Sequence, residues 1–322
     1  MKKIILITIS LCFFLNVNAQ RKKSQQYDLK SSQLSGLKFR SVGPAFMSGR
    51  IADIAINPEN ENEWYVAVGS GGVWKTSNSG TTWTPIADDQ PFYSTGSITI
   101  DPHNSSKIWL GTGENVGGRH VGIGHGVYMS ENGGKKWKDM GLKSSEHISK
   151  IIVSPNDPNL VFVASQGPLW SSGGDRGLFR SSNGGEDWEN VLSVNEWTGV
   201  TDIVIDHNNP STLYAATWQR HRNVAAYMGG GPGTSIYKSV DNGKTWIEIK
   251  NGLPGSNLGK IGLAISPFDS SILYAAVETD RRNGGVYKST NSGGSWKKMS
   301  DTVSGATGPH YYQELVASPH VF

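Results

Sequence analysis

Two carboxylates set among glycines are the side chains of this sequence best suited to chemistry. Glu114 opens Glu-Asn-Val-Gly-Gly-Arg119-His120, and Asp175 precedes Arg176 in Gly-Gly-Asp-Arg-Gly, with Glu278 and Asp280 in reserve. Carboxyls facing each other across a cleft, roughly 5–10 Å apart, are what glycosidic-bond hydrolysis requires. One protonates the leaving oxygen while the other attacks or activates water. Arg119, His120, Arg176, Arg220, His221, Arg222 and Asp280 lie in the same irregular segments and suit binding of an anionic or sugar-like ligand. Guanidinium forks bond such ligands in pairs, and Trp170 and Trp218 nearby offer ring faces. The same charges also suit pairing with one another to order the segments that hold them.

Other chemistries lack a part. Gly243-Lys244-Thr245 resembles the end of a phosphate loop, but Lys238 stands where the leading glycine is needed and no helical pattern follows. His120 and His125 have no third ligand at a convincing spacing, so neither a metal nor a cofactor is expected. No serine sits in a nucleophile elbow. Cys12 is the single cysteine, so residues beyond it have no thiol chemistry and no disulfide.

Cys12 falls in a segment that reads as an address. Lys2 and Lys3 precede an apolar run from Ile4 to Phe14, and Val17-Asn18-Ala19 forms a small-residue cleavage site. Residues 1–19 are expected to be a bacterial secretory signal, residues 20–36 a flexible leader, and residues 37–322 the folded part. The expected destination is the periplasm, cell surface or medium, with no membrane insertion once the signal is removed. With 30 basic and 27 acidic residues, two of the lysines in the signal, the remainder is near neutral. It has no basic stripe, and nucleic acid is not an expected partner.

The scaffold that must position the candidate residues is built from short strands and tight turns, as forty glycines and eleven tryptophans imply. One octet occurs five times, with the form Ser/Thr-x-Asn/Asp-x-Gly-x-x-Trp. Its copies carry Asn78 and Trp83, Asn132 and Trp137, Asn183 and Trp188, Asp241 and Trp246, and Asn291 and Trp296. The tryptophans are 54, 51, 58 and 50 residues apart, a repeat of one supersecondary unit. Each period holds an alternating strand ending near a proline, a polar turn, a second strand, a variable loop, a third strand, and the octet turning into a fourth. Radial repetition of four antiparallel strands is an all-β architecture, the β-propeller, with five recognisable blades. Tyr311–Pro319 matches the first strand of a sixth blade. The expectation is therefore an incomplete ring, the N-terminal part of a larger protein whose remaining C-terminal part is a partner. Within the octet, Asn or Asp and Gly serve the turn and the tryptophan is buried, so each copy is expected to be a structural fastener.

The octets resemble Asp-boxes, or bacterial neuraminidase repeats, of sialidases, xyloglucanase-type glycosidases and the sortilin receptor domain. Together with "FRSVGPAFMSGRIADI", "VGSGGVWK", "GTGENVGGRH" and "GPLWSSGGDRG", they make residues 37–322 similar to sortilin-like propellers of large secreted bacterial proteins often labelled glycosyl hydrolases. The resemblance implies a propeller that captures a peptide or protein segment, or a glycosidase. For the second it is imperfect. Xyloglucanase-type enzymes carry an aspartate just before the first blade's Gly-Gly, where this chain has Gly69-Ser70-Gly71-Gly72, and the sialidase opening is only echoed by Phe39-Arg40-Ser41-Val42.

Blade topology sorts the loops. Turns between strands one and two, and the octets, belong to one end; loops between strands two and three, and links between blades, belong to the other. Irregular loops on a regular scaffold carry binding residues more often than the scaffold does. The expected function is binding of a glycan or peptide at the end with the strand 2–3 loops; the alternative is a glycoside hydrolase using Glu114 and Asp175 there.

Overall fold

The computed structural model describes residues 30, 32, 36, 49–255, 257–279, 284–301 and 314–318. The chain divides after Met47, and every strand among the described residues belongs to the unit from Ser48 onward. The signal expected over 1–19, most of the leader and Asp280 lie outside the described residues.

Five antiparallel four-stranded sheets follow one another along the chain. The first comprises β1 (Ile51–Ile56), β2 (Trp64–Val68), β3 (Gly72–Thr76) and β4 (Thr84–Pro85). The second has β5 (Thr95–Asp101), β6 (Asn104–Thr112), β7 (Val127–Ser130) and β8 (Lys138–Asp139). The third has β9 (Ile148–Ser154), β10 (Asp157–Ser165), β11 (Gly177–Ser181) and β12 (Glu189–Leu192). In the fourth, β13 (Thr198–Ile205) and β14 (Leu213–Gln219) precede a small hairpin, β15 (His221–Arg222) with β16 (Tyr227–Met228). The sheet then resumes as β17 (Ile236–Ser239) and β18 (Ile247–Glu248). The fifth has β19 (Ile261–Ile265), β20 (Leu273–Val277), β21 (Gly285–Ser289) and β22 (Lys297–Ser300). The hairpin inside the fourth sheet's loop had no signal in the repeat. No strand forms over 314–318, the described part of the expected sixth blade.

Each sheet is too thin to bury its own faces, and the core lies between neighbours. β1 packs beside β5, β5 beside β9, β9 beside β13, and β13 beside β19. Between sheets two and three, Trp109, Val127 and Met129 meet Ile148, Ile151 and Val153. Between three and four, Leu160 and Phe162 meet Ile203 and Ile205; between four and five, Tyr214 meets Leu263. Full burial of such side chains contributes about 1.5–3 kcal/mol each. First strands of sheets two to five line a cavity of about 700 Å³ through Ile100, Lys150, Asp202, Val204 and Ile265.

The octets repeat one hydrogen-bond pattern. In the second, Ser130 Oγ donates to Asn132 Oδ1 at 3.1 Å and accepts from Gly134 N at 2.9 Å, and Asn132 Oδ1 accepts from Lys136 N at 2.8 Å. Corresponding bonds form around Thr76, Ser181, Ser239 and Ser289. Two successive residues take positive φ, for example Ser292 at 54° and Gly293 at 83°. The sequence pattern exposed only the second of these, because the first is Ser, Gly or Asn. The glycine is needed for space as well as for φ: a Cβ at Gly243 would stand 2.4 Å from Phe162 Cε1 of the preceding sheet. The octets of sheets two to five therefore clasp the sheet before them. Trp137, Trp188 and Trp296 donate to Ile86 O, Met140 O and Ile249 O of that sheet.

Candidate functional site

Each octet is bonded to its own sheet's turn between strands one and two, as Ser79 N is to Asn62 O, Gly133 N to Ser106 O and Gly184 N to Asn159 O. Antiparallel pairing then puts the loops between strands two and three at the opposite end. Glu114, Asp175 and Arg220 are at that end, away from the tryptophan clasps.

The loop after β6 is the hub of this end. Its residues Glu114 to Gly117 present four consecutive carbonyl oxygens, and each accepts from a basic side chain of another sheet or link. His147 Nδ1 reaches Glu114 O at 2.9 Å, and Lys260 Nζ reaches Asn115 O at 2.8 Å. Arg220 Nη1 reaches Val116 O at 2.9 Å, and Arg222 Nη2 reaches Gly117 O at 2.8 Å. Side chains at or beside sheets three, four and five thus hold one loop of sheet two.

Burial sets the charge state of these holders. His147 is pushed well below the usual imidazole range, mainly by burial and then by Arg220. It is neutral, with Nδ1 donating. Lys260 comes down to about 7, chiefly through burial, with the nearby Arg220 acting in the same direction. Arg220 falls to about 9 for the same leading reason and is still charged at neutral pH. Rings share the load: Arg222 lies 4.4 Å from the Tyr227 ring centroid and Arg220 5.1 Å from that of Trp218.

The expected rim residues divide into two groups. Arg176, Arg220 and Arg222 are buried rather than presented at the rim. Arg176 donates to the carbonyls of Gly173, Gln166, Trp197, Pro168 and Ser171, because a buried guanidinium must satisfy its donors and the irregular loops leave carbonyls unpaired. Arg119, His120 and His221 are at the surface or half-buried. Arg119 Nη2 donates to Val224 O at 3.1 Å, and His221 packs on Trp197 with ring centroids 4.2 Å apart. Trp170 is 42% exposed.

Neither candidate carboxylate is solitary. Glu114 is fully buried, and Arg50 bonds both its oxygens, Nη2 to Oε2 at 2.7 Å and Nε to Oε1. Asp175 Oδ2 accepts from Ser144 N at 2.8 Å. Glu278 is raised, chiefly by burial, and its Oε2 accepts from Lys260 N at 3.2 Å. His147, Lys260, Asn115 and Arg50 were not singled out from sequence. For His147, Lys260 and Arg50 the signal is a lone polar residue at the entrance to an apolar strand, as in Lys260-Ile261 and His147-Ile148, and Asn115 has none.

Residues 176–313 match the family model Sortilin-Vps10, described as "Sortilin, neurotensin receptor 3". This stretch is a sortilin-type propeller region. Xyloglucanases are relatives of the chain as well. The enzyme of Hypocrea jecorina is 26% identical over 63% of this chain and 26% of its own length. That of Paenibacillus sp is 23% identical over 82% of this chain and 27% of its own length. The chain thus spans about a quarter of these relatives. Among solved structures, the GH74 enzyme of Niastella koreensis superposes with a TM-score of 0.59 at 21% identity, over 77% of this chain and 38% of that one. An ancestral GH74 enzyme gives 0.60 at 24% identity, over 78% of this chain and 31% of that one. The five sheets are blades of a β-propeller. In that propeller the octets are blade clasps at one end, and the cation-held loop occupies the other.

Proposed function

We propose that this chain is a secreted glycan-binding propeller that holds its ligand at the end formed by the strand 2–3 loops. One observation carries the reading: exposed Trp170 and the Trp197–His221 stack stand on loops fixed from beneath by buried Arg176 and Arg220. Rigid aromatic faces on ordered loops suit an uncharged sugar chain, whose ring faces are apolar and whose edges bond to amides and imidazoles. The xyloglucanase relatives point to β-glucan chains as the first class to examine.

A second reading, hydrolysis, has one favouring observation. Glu114 packs against Gly69, where a Cβ would stand 2.8 Å from its Oε1, beside the Ser70 position where the resemblance places an acid. Against it, Glu114 is an anchor for Arg50 through both oxygens.

Calorimetry with xyloglucan oligosaccharides, other glucans and unstructured peptides tests both. Binding of a glucan is expected, with at least a tenfold weaker Kd for Trp170→Ala and Trp197→Ala and no change for Trp83→Ala at the octet end. Retention of peptides alone, or equal affinity in all three variants, overturns the reading. Release of new reducing ends that stops in both Glu114→Gln and Asp175→Asn replaces it with the hydrolase.

A further inference from the structure

We infer that the ligand end carries an anion subsite, in which Arg119 and Arg222 together take the carboxylate of a uronate residue on the bound glycan. The inference rests on the glycan reading above and adds a charge that the glycan carries.

The two arginines are built in as a pair. Arg222, in β15, donates through Nε and Nη2 to Gly117 O at 3.1 and 2.8 Å. Arg119, two residues after Gly117, donates back through Nη2 to the carbonyl of Val224, two residues after Arg222, at 3.1 Å. The loop of sheet two and the hairpin of sheet four thus exchange arginines, each fixed to the other's segment. The supports are ordered in turn. Asn223 Oδ1 closes the hairpin turn by accepting from Ala225 N at 2.9 Å and Ala226 N at 2.7 Å. The Tyr227 hydroxyl fills the space that a Cβ at Gly117 would need, so this glycine lets the hairpin approach.

What the pair lacks is an anion. Arg50 is paired with Glu114 and Arg180 with Glu189, but among the described residues neither Arg119 nor Arg222 pairs with a carboxylate. Arg222 is lowered chiefly by burial; Tyr227 raises it, Arg119 lowers it further, and no carboxylate is among the groups acting on it. Burial pushes Tyr227 up to about 12, so its hydroxyl stays neutral and does not offset the two charges. Donors are also left over. Arg119 is exposed and uses only Nη2. Arg222 Nη1 makes no bond among the described residues and is not one of the buried atoms without a partner, so it reaches solvent. Spare N–H groups on two guanidiniums match the two oxygens of one carboxylate.

The position of the pair makes the carboxylate a sugar's. Arg222 follows His221 of the stack with Trp197, and its N–H bonds Leu169 O at 3.0 Å, the residue before exposed Trp170. Uncharged residues of the chain lie on those faces while a uronate among them reaches the arginines.

Calorimetry with glucuronate-bearing oligosaccharides is the test, set against the same oligosaccharides after reduction of their carboxylates to alcohols. The acidic form should bind at least tenfold tighter at low ionic strength, and the gap should narrow as salt is added. Arg119→Gln should abolish the gap, and Arg119→Lys, which keeps the charge but not the planar fork, should restore only part of it. Arg119 is exposed, and thermal melts establish that both variants fold. Equal affinity of the unaltered chain for the two forms, or a gap that survives in Arg119→Gln, overturns the inference, while binding of the reduced form leaves the glycan reading standing. An acidic peptide that binds tighter than the acidic oligosaccharide overturns it as well. Binding of neither oligosaccharide overturns both readings.

Discussion

His147 and Lys260 hold adjacent carbonyls of one loop, and both respond to protons in the same sense. Each has a folded pKa below its ordinary value, driven first by burial. The unfolded chain therefore binds protons that the folded chain refuses, and stability rises with pH across the interval between the two values. For His147 that interval lies below about 6.5, and for Lys260 it runs from about 7 to about 10.5. The limiting slope is about 1.4 kcal/mol per pH unit for each proton. Acidification from pH 6.5 should thus lower the melting temperature, and His147→Gln, which keeps a donor near Glu114 O, should flatten that limb. Lys260→Gln should flatten the limb above pH 7, and because Lys260 lowers Asp202, Glu278 and Glu314 it should also alter the acid limb. The difference between His147→Gln and the unaltered chain isolates that group from Asp53 and Asp202, whose burial shifts them upward and gives the opposite slope at lower pH. Parallel curves for all three proteins would remove the pH role of this loop.

At the scale of the element, the octet makes opposite demands on adjacent residues. Gly243 has φ +73°, and its Cβ position is occupied by the Phe162 ring of the preceding sheet. Gly243→Ala should cost about 2–4 kcal/mol, combining left-handed backbone strain with overpacking. Ser292 also has positive φ, at 54°, yet is only half-buried. Ser292→Gly removes the Cβ from that conformation and should stabilise by up to about 1 kcal/mol. Urea unfolding of the two variants should shift the midpoint in opposite directions; a common sign would mean that the clasp does not act as described. These elements were readable beforehand because a five-fold repeat exposes which residues recur, and strand alternation has period two. The loop hub was not readable. Arg220 and Val116 are 104 residues apart and Lys260 and Asn115 145 apart, and no local pattern encodes which carbonyl a long side chain will reach. The same arginines that suit an anionic ligand by type are turned inward by a need that only the folded loops create.

For the whole molecule, stability follows from stacking rather than from any one sheet, since each core cluster is shared by neighbouring sheets. Interior sheets lie between two other sheets, whereas among the described residues the first and fifth each have one neighbouring sheet, the fifth also meeting residues 315–318. In a stack of this kind opening proceeds from the ends, where a sheet leaves by breaking one interface instead of two. Amide exchange should therefore be slowest in β9, β10 and β11 and fastest in β1 to β4 and β20 to β22. Equal exchange rates in the first and third sheets would mean that the stack opens as one unit instead of sheet by sheet.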